Sequence, residues 1–186
     1  MREQALQKGP HILSEGLLDD RGKLLTPPTD RAHATRISVS HLVPLLEFNQ
    51  TPWDDLHVTY FNSYALWTYL TIPFLYTYPG FITEELEPWH EDGEIWRTLC
   101  ATFPEGIASH TRQQILYFGP DGLLRRHEYM VDVLGGARGV NYAHDYREVD
   151  GISVPMKRRV YSYDADKRKI PEPVLVAIDV HAIAFN

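Results

Sequence analysis

From Phe81 onward apolar and polar residues alternate at every second position; before it they do not. A period of two marks strands with one buried face. Short glycine-bearing segments join the alternating runs: Glu91-Asp92-Gly93-Glu94, Gly119-Pro120-Asp121-Gly122 and Asp150-Gly151. Asp-Gly suits a two-residue hairpin turn because both positions tolerate positive φ. The pattern predicts hairpins over 82–90 with 95–103, 112–118 with 123–132, and 142–149 with 152–163. A loop over 164–173 leads to a last strand over 174–185. Connections this short make an antiparallel meander and exclude a parallel α/β sheet.

In the first hairpin this register pairs Trp89 with Trp96 and sets Ile82, Leu86, Ile95, Leu99 and Phe103 on the opposite, core-facing side. Gly135-Gly136-Ala137-Arg138-Gly139 has no helix behind it and reads as a flexible loop over a pocket.

Before Phe81 the pattern is helical. Thr51-Pro52-Trp53-Asp54-Asp55 is a start signal: Thr51 caps, Pro52 takes the first position, and two aspartates complement the dipole. Pro73 ends the helix near Ile72. Tyr60, Phe61, Tyr64, Trp67, Tyr69, Phe74, Tyr76 and Tyr78 make the stretch apolar nearly all round, which predicts burial on several sides. The fold class is therefore α+β and mainly β: a curved antiparallel meander with an aromatic helical segment on its concave face.

The first fifty residues read as an arm with short strands, followed over 51–186 by the helix and sheet, one domain overall. His11-Ile12-Leu13 and Leu24-Leu25 would flank a turn at Asp20-Arg21-Gly22, and 37–43 alternates as a strand. Thr26-Pro27-Pro28-Thr29-Asp30 is a linker, because adjacent prolines exclude helix.

Composition narrows the function. A formal net charge of −7 argues against non-specific nucleic-acid binding. Basic residues gather at Lys157-Arg158-Arg159 and Lys167-Arg168-Lys169, which read as solvated strand ends and a loop. The single Cys100 excludes an internal disulfide and a cysteine-rich zinc site. No apolar run has membrane-spanning length, and the polar first ten residues resemble no secretory leader, so a cytoplasmic location without membrane contact is expected.

Three runs carry a resemblance: 115–129, from Ile115 through Phe118-Gly119-Pro120-Asp121-Gly122 to Tyr129; 145–155, including Asp145-Tyr146-Arg147-Glu148-Val149-Asp150-Gly151; and Tyr64-Ala65-Leu66-Trp67-Thr68-Tyr69. Together they resemble an uncharacterised family of bacterial cytosolic proteins, itself similar to the outer-membrane lipoprotein carriers. The resemblance covers about 51–179. It implies an unclosed half-barrel with helices over a hydrophobic cavity.

Candidate chemistry sits on the second hairpin. With Gly119 opposite Gly122, one face carries His110, Arg112, Gln114, Leu116 and Phe118, and across from them Arg125, His127 and Tyr129. Gln114 then lies opposite His127, and Arg112 opposite Tyr129. The apolar residues gather near the turn and the polar ones at the far end, the usual form of a small-molecule site. His127 is the candidate for proton transfer, with Gln114, Tyr129 and His110 as its catalytic partners. Arg112 and Arg125 would hold a carboxylate. Leu116, Phe118, Tyr64 and Trp67 would wall the cavity, and Tyr142, His144 and Asp145 would reach it from the next hairpin.

No cofactor is implied. Zinc or iron on His110, His127 and His144 is an alternative, but no tight pair such as His-x-His supports it, and the site is read without a metal. The expected function is a cofactor-free acid–base enzyme, such as a cyclase, isomerase or dehydratase, on an apolar or mixed-polarity ligand. A passive carrier and an assembly module are the alternatives. Two adjacent indoles would make an apolar patch, so a homodimer through the arm or the Trp89/Trp96 face is a further expectation.

Overall fold

The computed structural model describes residues 53–185 and, among the first fifty, two short strands, Leu17–Leu18 (β1) and Leu24–Leu25 (β2). These two pair antiparallel, Leu17 with Leu25. The partner of Leu24-Leu25 is thus Leu17-Leu18; His11-Ile12-Leu13 and the strand expected over 37–43 lie outside the described residues.

One helix, Asp55–Thr71 (α1), precedes a sheet of β3 (Ile82–Glu91), β4 (Glu94–Thr102), β5 (Gln113–Phe118), β6 (Leu124–Val131), β7 (Ala137–Val149), β8 (Ile152–Tyr163) and β10 (Val176–Asp179). The strands lie in the order β10-β8-β7-β6-β5-β4-β3, an antiparallel meander, with β9 (Lys169–Ile170) also pairing with β8. The sheet curls into a half-barrel. Asp92-Gly93 and Asp150-Gly151 hold positive φ at both positions, the primed turn their sequence predicts. Among the described residues no helix is long and apolar enough to cross a membrane.

The cap of α1 is Asp54, not Thr51, which lies outside the described residues. Its carboxylate accepts from the backbone N–H groups of Leu56 and His57, and the His57 ring closes a capping box. The helix ends at Ile72, before Pro73. Only one stripe of it is buried: Phe61, Tyr64, Ala65, Thr68 and Tyr69, spaced three and four apart. Tyr60 on the outer side is 62% exposed. Burial on several sides is therefore not found. Tyrosine has an apolar body and a wet tip, so an aromatic count overstates how much of a helix must be hidden.

Two β-bulges redirect side chains. Leu86 pairs with Thr98 but Trp89 with Trp96, so the register shifts by one around Glu87-Pro88. Pro88 lacks the N–H a regular ladder needs. The shift leaves Ile82 and Leu86 on the same face as Trp89 and Trp96 rather than opposite them, and Ile82 is 66% exposed. The second bulge lies between Tyr117 and Phe118, where Tyr117 pairs with Arg126 and Phe118 with Leu124. Arg125 is the extra residue, and it turns away to Glu94 and Asp121.

The Trp face is a second buried layer. Trp96, Tyr117, Val140 and Tyr142 cluster there, with Trp89, Ile115, Tyr161 and Tyr163 against them. Its cover comes from the chain itself. Arg126 lies over Trp89 and Tyr117, Arg168 over Trp89, and Lys169 over Tyr142. The second basic triplet is thus a lid on aromatic rings as well as a loop.

Candidate ligand-binding site

The face that meets α1 carries polar side chains where a core would be apolar. His110, Gln114, His127, Asn141 and Arg158 are all buried there, with Tyr64, Tyr69 and Tyr129. Strand periodicity puts them together. Leu116, His127, Asn141 and Val160 form one rung across β5, β6, β7 and β8, and Arg158 is the next inward position on β8.

Two hydrogen-bonded systems result. In the first, the Tyr69 hydroxyl lies 2.5 Å from the Tyr129 hydroxyl and 2.9 Å from His110 Nε2, while His110 Nδ1 lies 3.2 Å from the Tyr64 hydroxyl. One proton per contact satisfies this chain in either direction, since neutral imidazole has one donor and one acceptor. Burial pushes the His110 imidazole down to about 3 and the Tyr69 phenol up to about 12, and it raises Tyr64 and Tyr129 as well. All four groups are neutral at physiological pH.

In the second, His127 Nε2 meets Gln114 Oε1 at 2.6 Å. Gln114 Nε2 donates to the Thr111 carbonyl, which fixes the amide orientation. His127 Nε2 therefore carries the proton, and Nδ1 is a bare acceptor with no partner among the described residues. Burial, then the charge of Arg158 and the neighbouring His110, hold His127 well below its usual value. Register sets Leu116, not Gln114, opposite His127, so the Gln114–His127 contact is diagonal.

A cleft of about 50 Å³ opens between α1 and the sheet. Phe61, Ala65, Leu66, Val131, Leu175 and Val176 make it apolar, and Tyr69, His110 and Tyr129 stand in its wall. Gly139 is required here. The Tyr129 ring packs over it, and a Cβ at 139 would come within 2.7 Å of that ring. This glycine belongs to β7, so 137–139 is strand rather than a loop over a pocket. Gly139→Ala is expected to lower stability by about 1–3 kcal/mol, measured by urea unfolding, with displacement of the Tyr129 ring resonances.

The remaining candidates separate. Tyr64 joins the relay. Leu116 is buried and Phe118 packs beside it, but neither lines the cleft. Trp67, half-buried on α1, does not line it either. Arg112 is exposed and 3.6 Å from Glu105, and the bulge removes Arg125. Tyr142 lies on the Trp face and donates to Glu91. His144 shares that face, its ring parallel to Tyr142, which separates it from His110 and His127. Asp145 pairs with Lys157 at the surface. Among the described residues no three His, Cys, Asp or Glu side chains gather closely enough to share a metal ion.

Sequence reading missed Tyr69, Asn141 and Arg158. The signal for Arg158 lies in the triplet itself: in a strand, Lys157 and Arg159 on one face force Arg158 to the other. No protein-family model matches the chain, and neither a curated protein nor a solved structure shows significant similarity to it.

Proposed function

We propose that this half-barrel binds a small organic molecule of mixed polarity, its apolar part in the cleft beneath α1 and its polar part against Tyr69, Tyr129 and His110. The observation carrying this reading is an apolar cleft whose wall includes a hydrogen-bonded relay. The relay is neutral, so it recognises hydroxyl, carbonyl or carboxyl groups by hydrogen bonding. The lone thiol of Cys100 fits a reducing compartment, and we place the protein in the cytoplasm.

Butyramide is a suitable probe. In titrations followed by methyl NMR it is expected to shift Val131, Val176 and Ile178 saturably, with affinity reduced about tenfold or more in Ala137→Phe, which enlarges a lining side chain into the cleft. Absence of any shift at tens of millimolar would overturn the reading.

The contiguous Tyr129–Tyr69–His110–Tyr64 chain favours a second reading, a cofactor-free acid–base enzyme. Against it, His110 near 3 and Tyr69 near 12 are far from the neutral value that makes proton transfer efficient. Exchange of the α-hydrogens of 2-butanone in D2O, lost about a hundredfold in Tyr69→Phe, would move the assignment from binder to enzyme. Without such exchange the binder stands.

A further inference from the structure

Arg158 is 4% exposed. Its neighbours are paired: Lys157 with Asp145, and Arg159 with Asp179. Arg158 has no carboxylate partner among the described residues. Its Nη2 donates to the Tyr69 carbonyl at 2.7 Å, near the C-terminus of α1, and its guanidinium sits 5.4 Å from the Tyr69 ring. That carbonyl and the helix dipole offset part of the charge. Among the described residues the Nη1 donor has no partner.

Other unpartnered atoms surround it. Among the described residues neither polar atom of the Asn141 amide closes a full hydrogen bond; the amide makes only a loose hydrogen-bond approach to the Tyr69 hydroxyl. The Tyr76 hydroxyl is also unpartnered among the described residues and close enough to feel the Arg158 charge. Asn141 and Arg158 share the inward face: Asn141 is opposite Val160, and Arg158 is opposite Ala143, two residues along. Diagonal positions of this kind lie within reach of long side chains.

We propose that Arg158 and Asn141 form a carboxylate-recognition site just behind the inner wall of the cleft, and that the molecule bound there is a short-chain monocarboxylate. The proposal rests on the binding reading above. Three cleft-lining residues, Tyr69, Val160 and Ile178, flank Arg158 directly: the first accepts from it, the second is two residues along β8, and the third is its partner on β10. Arg158 and Asn141 do not themselves line the cleft; they lie behind this wall, so a head group ending beside Tyr69, Val160 and Ile178 stops next to the residues that flank the guanidinium. One cation with a neutral amide matches a singly charged, planar carboxylate; a phosphate dianion would be left under-compensated in so buried a place. His127 stays outside the carboxylate shell, because its Nδ1 presents a lone pair.

Butyrate and butyramide differ only in the head group and test this directly. Wild-type protein, titrated by methyl NMR at pH 7.5, is expected to bind butyrate about tenfold or more tightly than butyramide. Arg158→Met should bring that preference to about one and leave butyramide binding in place. Arg158 also holds the end of α1, so Asn141→Leu is the second variant. Replacing an amide that closes no full hydrogen bond among the described residues by an apolar side chain keeps the fold, and the preference should drop severalfold. Equal binding of the two probes by wild-type protein overturns the carboxylate site while the cleft reading survives. Binding of neither overturns both. An unchanged preference in Asn141→Leu, or in a folded Arg158→Met, places the anion elsewhere and overturns the proposal.

Discussion

Below about pH 6.5 the protein is expected to lose stability at about 1.4 kcal/mol per pH unit for each of two buried histidines. His110 is lowered from 6.5 to about 3 by burial, and His127 is lowered by burial, Arg158 and His110. Both are neutral when folded, whereas the unfolded chain protonates them near 6.5. A depressed folded-state value means that the unfolded state binds more protons as pH falls. Stability is therefore full above about 6.5 and declines toward the folded value. For His110 alone the window is about 3.5 units, or roughly 5 kcal/mol, and His127 adds to it with the same sign. A domain at the lower end of ordinary stability, about 5 kcal/mol, would unfold between about pH 4 and 5. Glu91 adds to the loss only at lower pH. Burial would raise its carboxyl, but hydrogen bonds from Tyr142 and Trp89 and the Arg126 charge hold it below 4.5. Urea unfolding at pH 8, 6 and 5, with imidazole NMR of the folded state, checks the expectation. Equal stability at pH 8 and 5 would sink it.

The architecture was legible in the sequence because backbone rules dominate it. Asp92-Gly93 and Asp150-Gly151 can form few turns other than the ones found, and turns that tight leave only a meander. The face of each strand was less legible, because one extra residue inverts the pattern. The bulge at Glu87-Pro88 carried Ile82 and Leu86 to the Trp side, and the one at Arg125 removed a candidate ligand-binding residue. A proline warned of the first; for the second, Gly119-Pro120-Asp121-Gly122 signals a turn but not where the ladder resumes.

The candidate site was half legible. Alternation places His110, Gln114, His127 and Tyr129 on one face, and they do gather beneath α1. The wall expected around them was misplaced. The cleft opens toward β7 and β10, not toward Leu116 and Phe118, because Tyr129 lies flat over Gly139. Which neighbour a ring covers depends on the space across two strands, and alternation carries no record of it. Arg158 is hidden in the sequence because three basic residues in a row suggest a solvated surface, although period two turns the middle one inward.

Arg126→Ala is expected to destabilise the fold by about 3–5 kcal/mol, the largest loss from any single truncation on the Trp face. Arg126 is fully buried. It donates to Glu91 at 3.0 Å, to Glu128 at 2.9 Å and to the Lys167 carbonyl at 2.7 Å, and it packs over Trp89 and Tyr117. Glu128 also accepts from Tyr117 and pairs with Lys167, and Glu91 accepts from Trp89 and Tyr142. The network thus joins the tip of the β3–β4 hairpin to the loop after β8, segments from opposite ends of the sheet order. Removing the guanidinium leaves two nearly buried carboxylates with, among the described residues, only Lys167 as ion-pair partner, and that orphaned charge is the main cost. A second variant separates it from lost packing. Arg126→Met combined with Glu91→Gln and Glu128→Gln removes all three charges and keeps their volume, so it should lose less than Arg126→Ala alone. Chemical denaturation of both variants supplies the comparison. A loss below about 1 kcal/mol for Arg126→Ala is what an exposed pair would give, and it would mean that the clasp contributes nothing to holding the hairpin tip and the loop together.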